Sequence, residues 1–241
     1  MVCRFCEGEV YQMELKTIAR IHTGFSEKFG IPRQSGLVET PGYIVFEPPY
    51  NNPDAFRGLE EFSHIWLIWQ FSESVRDDWS PTVRPPRLGG NRRVGVFASR
   101  SPFRPNSIGL SLVKLEKIEY NHESGPVLHI SGADILGGTP IYDIKPYLPY
   151  SEAKPDARGG FAHKVIGSGA EVVFDFDVES EPLSGKIPQE DLELIKELLA
   201  QDPRPRYQDD PERVYGMSYG EWEVKFTAGD GAIMVKSIKN R

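Results

Sequence analysis

The stretch from Leu110 to Tyr120, LSLVKLEKIEY, decides the fold. Its apolar residues fall at Leu110 and Leu112, change phase to Val113 and Leu115, and change again to Ile118 and Tyr120. A straight half-buried strand keeps one parity, because successive side chains point to opposite faces of a sheet. Phase changes inside one long run therefore predict a bulge or strong coil, the device that curves a sheet towards closure. A short helical stretch is the competing reading. Similar runs lie on both sides: Lys16–Ile21, Tyr43–Phe46, His64–Phe71, Val94–Ala98, Val127–Ser131 and Ile141–Lys145, then Val172–Val178, Glu221–Phe226 and Ala232–Ile238. Several are β-branched or aromatic and bounded by Gly, Pro or Asn.

One helix is predicted. Pro188 suits a first helical position, Gln189, Glu190 and Asp191 set acidic groups at the positive end, and Leu192, Ile195 and Leu199 share a face. Asp202 and Pro203 stop it. So few helical patterns between strands exclude a doubly wound α/β fold, leaving a mainly β architecture. The 23 glycines and 20 prolines are spread along the chain, as many turns require.

A chain of 241 residues holds one large domain or two smaller ones. Residues 151–169, rich in small, charged and turn-forming types, mark the boundary: a main domain over 1–155 and a small α+β domain over 156–241. No window approaches about 18 uninterrupted apolar residues, so no spanning helix is expected. Met1 to Glu14 carries Arg4, Glu7, Glu9 and Glu14 and lacks a signal-peptide core. Two cysteines make no disulfide framework, which points to a reducing, cytoplasmic setting.

The net charge is −7, yet from Trp79 to Leu115 there is no acidic residue. Arg84, Arg87, Arg92, Arg93, Arg100, Arg104 and Lys114 make that segment cationic. One basic block in an acidic protein fits a local anionic ligand such as phosphate or RNA; pairing with surface acids is the alternative.

Familiar catalytic signatures are missing. Cys3 and Cys6 form a lone CxxC with no second ligand pair, so no metal centre is expected. VIGSGA (165–170) precedes a strand instead of opening a helix, and reads as a linker. His64, in HIWLIWQF, reads as a packed side chain. Three Gly/Pro-rich segments with embedded polar groups stand out instead: FGIPRQSG (29–36), the run from Arg84 through FASRSPFRPNSIG (97–109), and DILGGTPIYDIKPY (134–147). Rigid loops that expose main-chain groups beside Arg and Asn suit a polar ligand.

These three segments resemble the signature blocks of the TrmO (TsaA-like, YaeB) family, and AQDPRPRY (200–207) resembles its bacterial C-terminal extension. The resemblance implies a closed single-sheet β-barrel that dimerises, with a small C-terminal domain. It implies an S-adenosylmethionine-dependent tRNA methyltransferase acting on N6 of threonylcarbamoyladenosine beside the anticodon, at position 37. Two readings stay beside it: a non-catalytic nucleic-acid-binding barrel, and a methyltransferase with another RNA or small-molecule acceptor.

Carried over to this chain, the donor pocket takes Pro32, Arg33 and Gln34, then Ser72 and Glu73, Arg100 and Leu110, and Ile135, Leu136, Gly137 and Gly138. The family commonly has Asp where this chain has Gly137, and some members have His-Gln at Ser72-Glu73. The implied acceptor nitrogen is ureido-like, its lone pair delocalised, so removal of its proton by a carboxylate or phenolate helps. The candidates are Asp143, Asp134 and Tyr142. Arg104 or Arg33 would clamp the threonyl carboxylate. Arg84, Arg87, Arg92, Arg93, Asn106 and Lys145, with Arg204 and Arg206, would carry RNA contacts.

Overall fold

Residue 115 is where the long strand bends. In the computed structural model, which describes residues 14–75, 78–85, 88, 92–163, 169–175, 187–204 and 210–241, the register between Ile108–Glu119 and Val127–Ser131 breaks between Leu115 and Lys117. The earlier phase change is not a bulge. Gly109, Ser111, Val113 and Leu115 keep one inward parity, while Ile108, Leu110 and Leu112 face outward. Those outward residues are apolar for a local reason: Ile108 and Leu110 line a cavity.

Six strands close the barrel: β1 (Ala19–Thr23), β2 (Pro41–Phe46), β3 (His64–Gln70), β6 (Ile108–Glu119), β7 (Val127–Ser131) and β8 (Pro140–Pro146). Between β3 and β6 lies a two-stranded hairpin, β4 (Thr82–Val83) with β5 (Val94–Gly95). Around the barrel the order is β1-β2-β7-β6-β3-β8, every neighbouring pair antiparallel. A second irregularity sets Ile68 against Asp143 but Trp69 against Ile141, leaving Tyr142 as the extra residue. Closure removes exposed sheet edges, and the interior fills with Ile21, Ile44, Ile65, Leu67, Leu128, Ile130 and Ile141.

The smaller sheet runs β10 (Tyr215–Tyr219), β11 (Trp222–Gly229), β12 (Ala232–Asn240), β9 (Glu171–Phe174), the last pair parallel. Helix Gln189–Ala200 buries Ile195, Leu198 and Leu199, so Leu198 joins the apolar face that the pattern predicts. Phe25 and Val38, from the loop after β1, belong to this second core and not to the barrel. That loop carries FGIPRQSG, so the first signature segment is pinned between two cores.

Elsewhere the strand reading shifts modestly. β1 starts at Ala19 instead of Lys16, and Val94–Ala98 is a two-residue strand followed by one 3-10 turn over Val96–Ala98. β10, YGMSY, is absent from the expected strands because Gly216 and Ser218 have little strand propensity. Cys3, Cys6, Arg87, Arg206 and most of VIGSGA lie outside the described residues.

Candidate active site

The three signature segments meet. Pro32, Arg33 and Gln34 from the first, Arg100, Arg104, Asn106 and Leu110 from the second, and Asp134 and Leu136 from the third line one cavity of about 590 Å³. Ser72 and Glu73, on a short turn after β3, join them, whereas Ile135, Gly137 and Gly138 of the predicted set do not line it. Its remaining walls include residues that no motif marks as binding groups, among them Lys28, Trp69, Gln70 and Phe71.

Each wall has a local cause. Gly30 adopts φ +93°, and a Cβ there would stand 2.5 Å from Met217 Cγ; glycine lets the loop lie on β10. Arg33 Nη2 donates to the carbonyl oxygens of Asp202 (3.1 Å) and Arg204 (2.8 Å), tying the loop to the turn after the helix. Gln34 Oε1 accepts from Arg100 Nη1 at 2.5 Å, which joins the first and second segments. Lys28 Nζ donates to the carbonyl of Glu73 (2.5 Å) and to Ser74 Oγ (3.2 Å), tying the same loop to the turn after β3.

Two carboxylates line the cavity, Glu73 exposed at its rim and Asp134 partly buried in its wall. Trp69 Nε1 donates to Ser111 Oγ at 3.0 Å, and that hydroxyl donates to Asp134 Oδ1 at 2.5 Å. Burial pushes the Asp134 carboxyl above the ordinary Asp range, opposed by the Ser111 hydroxyl and by the charge of Arg100. A carboxyl so placed holds or releases a proton nearer to neutrality than a surface Asp does.

The other two base candidates stand elsewhere. Asp143 Oδ2 pairs with Lys145 Nζ at 3.0 Å, and Asp143 Oδ1 accepts from the amide of Ile144. Asp143 and Lys145 both lie off the cavity wall. Tyr142 reaches the cavity only indirectly, donating through its hydroxyl to Gln70 Oε1 at 2.5 Å, and burial raises its phenol pKa. The third segment's Ile135 is fully buried in the barrel core. Gly137 and Gly138 donate their amides to the carbonyls of Phe25 (2.9 Å) and Ile21 (2.8 Å), and serve as braces for the turn. A Cβ at Gly137 would meet Thr23 and Phe25 carbonyl oxygens at 3.2 and 3.3 Å, so this loop is fitted to glycine.

The cationic segment divides likewise. Arg84 and Arg93 line a second, larger cavity of about 1210 Å³ that shares Arg33, Gln34, Arg100 and Pro102 with the first. Arg92, the residue before Arg93, is exposed. Arg104 is held by its Nη1 donating to the carbonyl of Ser99 (3.1 Å) and faces the first cavity. Arg204, expected on the RNA surface, turns inward: it grips both Asp202 carboxylate oxygens and the Ala228 carbonyl, with 14% of its side chain exposed. Its charge serves the fold. Among the described residues no group of three or more His, Cys, Asp or Glu side chains could hold a metal ion, and no helix is long and apolar enough to cross a membrane.

Comparison with known proteins places this geometry. The model of the tRNA-methyltransferase O N-terminal domain matches residues 20–153, and that of the TrmO C-terminal domain residues 170–241. A tRNA (adenine(37)-N6)-methyltransferase of Escherichia coli is 42% identical over 233 residues, covering 95% of this chain and 98% of its own. One from Eikenella corrodens is 50% identical over 177 residues, 73% of this chain and 97% of its own. A crystal structure of TrmO from Pseudomonas aeruginosa superposes with a TM-score of 0.76 at 34% identity, covering 98% of this chain and all of that one. Both domain models, the curated relatives and the solved structure agree, and the chain belongs to the tRNA-methyltransferase O family.

Proposed function

We propose that this protein transfers a methyl group from S-adenosylmethionine to N6 of threonylcarbamoyladenosine at position 37 of tRNA, in the cytoplasm and as a homodimer. Residues 1–155 form its methyltransferase domain and 156–241 a small accessory domain. As a family member it is a tRNA methyltransferase. One observation carries the finer reading: a single partly buried carboxylate, Asp134, is aimed into a cavity where a cationic rim meets apolar walls.

The cavity fits the donor. Its volume lies within the range typical of cofactor sites. Ile31, Pro32, Leu110 and Leu136 would offer the donor's purine an apolar seat, and Arg100 with Lys28 would offer its carboxylate cationic neighbours. When bound, S-adenosylmethionine supplies an electrophilic methyl on sulfur.

The chain's own groups prepare the acceptor. A ureido nitrogen is a poor nucleophile until its proton leaves, and Asp134 accepts that proton on its carboxylate. Ser111 and Trp69 hold the carboxylate's orientation through their two hydrogen bonds. The Arg104 guanidinium, fixed through Ser99, pairs with the threonyl carboxylate. Holding the reactants in near-attack geometry removes up to about 7–11 kcal/mol of the barrier.

Incubation of the protein and labelled donor with tRNA carrying or lacking the threonylcarbamoyl group tests the assignment. Label is expected in the modified tRNA alone. Equal labelling of both tRNAs moves the acceptor to plain adenosine, and none in either leaves a binding protein.

The exposed arginines give a separate expectation. Arg92→Ala with Arg93→Ala weakens tRNA binding and flattens the slope of log affinity against log salt by about 0.7 for each phosphate no longer neutralised. Donor affinity measured by calorimetry stays as in the wild type. An unaltered salt slope would take both arginines off the RNA surface.

A further inference from the structure

Two large aromatic side chains lie where neither core explains them. Phe97 is 75% exposed and Trp79 51%, and their rings stack with centroids 6.3 Å apart and planes 28° from parallel.

The hairpin holds them together. Thr82 pairs with Gly95 and Val83 with Val94, and the Val96 amide donates to the Pro81 carbonyl at 2.9 Å. Trp79 enters this clamp and Phe97 leaves it. Val96 is buried, 1% exposed, while the residue after it is turned to solvent. Phe97 lines the larger cavity, which shares Arg33, Gln34, Arg100 and Pro102 as walls with the donor cavity. Among the described residues, the charged ones lining that larger cavity are all arginines: Arg33, Arg84, Arg93, Arg100 and Arg158.

We propose that Trp79 and Phe97 form a stacking subsite for an unpaired nucleobase of the RNA loop, next to the acceptor nucleotide presented to the donor cavity. This rests on the RNA-methyltransferase reading above. Every base has a π face, so an aromatic platform grips single strands without reading sequence, while flanking arginines track the phosphates. A second copy of this chain is the poorer occupant. A two-fold interface through the patch would set the same arginines against each other.

Binding of a fluorescently labelled anticodon stem-loop, measured at low and high salt, tests the subsite. Phe97→Ala and Trp79→Ala should each weaken it on the order of tenfold, by the same factor at both salts. Phe97→Tyr should restore binding and Phe97→Leu should not. In turnover with labelled donor, KM for RNA rises while kcat and donor affinity hold. Wild-type binding by Phe97→Ala, or rescue by Phe97→Leu, overturns the subsite, as does a change in sedimentation mass with RNA affinity intact. Methyl incorporation by the wild type is scored separately. Weakened RNA binding in Phe97→Ala therefore decides the subsite even if no label is transferred.

Discussion

Asp134→Asn abolishes methyl transfer, with kcat down by about 10²–10⁴-fold, and leaves donor binding within a few-fold of the wild type. Asparagine keeps the Oδ1 acceptor for Ser111 and the shape of the side chain, but accepts no proton from a ureido nitrogen. Asp143→Asn is the control. It breaks an exposed pair with Lys145, worth about 0–1 kcal/mol, and should not alter kcat. The pH profile gives an independent reading. Burial raises the Asp134 pKa, so wild-type kcat falls on acidification at a pH above the ordinary Asp value of about 4. Single-turnover rates across pH check this; an acid limb unmoved from the ordinary range, or an active Asp134→Asn, ends the role of this carboxylate.

The same residue has a stability signature of opposite sign. A raised carboxyl pKa means the folded state binds the proton more tightly than the unfolded chain. Its stabilising contribution is therefore full below the unfolded pKa and is lost as pH rises through the folded one. Asp134→Asn does not ionise, so at neutral pH its melting temperature should equal or exceed that of the wild type. Diminished activity with unchanged or higher stability is the expected trade at a site that keeps a partly buried charge.

Much of this is readable in the chain, and the unreadable part has a physical reason. The apolar, aromatic run HIWLIWQF marks a strand and the phase break near Leu115 predicts a curved sheet, because side-chain direction in a strand is set locally. The three glycine- and proline-rich segments mark the cavity, since rigid turns carry their own chemistry in sequence. What alternation cannot show is which face of a strand meets which loop. Asp134 and Asp143 look alike as carboxylates near β8; only the irregularity at Tyr142 turns Asp143 away to Lys145. Arg204 resembles its basic neighbours in sequence, but the turn at Asp202, with φ +45°, brings that residue's carboxylate round to it. Trp69 belongs to the barrel core, at 5% exposure; its second duty as cavity wall needs the glycine opposite it.

Gly109→Ala should be the most disruptive single methyl in the barrel. Gly109 sits directly across from Trp69 in the β3–β6 register. A Cβ there would stand 2.2, 2.5 and 2.6 Å from Cε2, Cζ2 and Cδ2 of the indole. Those are atoms of a rigid, buried ring, not the free end of a flexible chain, so the clash must move Trp69 or part the strands. Overpacking of this kind costs about 1–3 kcal/mol or more, and in a chain of this length lowers Tm by several degrees. Displacing the indole also breaks the Nε1 bond to Ser111 that steadies Asp134, and pushes a ring into the donor cavity. Donor affinity should drop roughly tenfold or more, on the scale of one hydrogen bond forfeited. Thermal unfolding and calorimetric titration of the donor measure the two effects together. If Gly109→Ala melts and binds as the wild type does, the indole is not pinned between strand and cavity, and the support assigned to Asp134 must come from elsewhere.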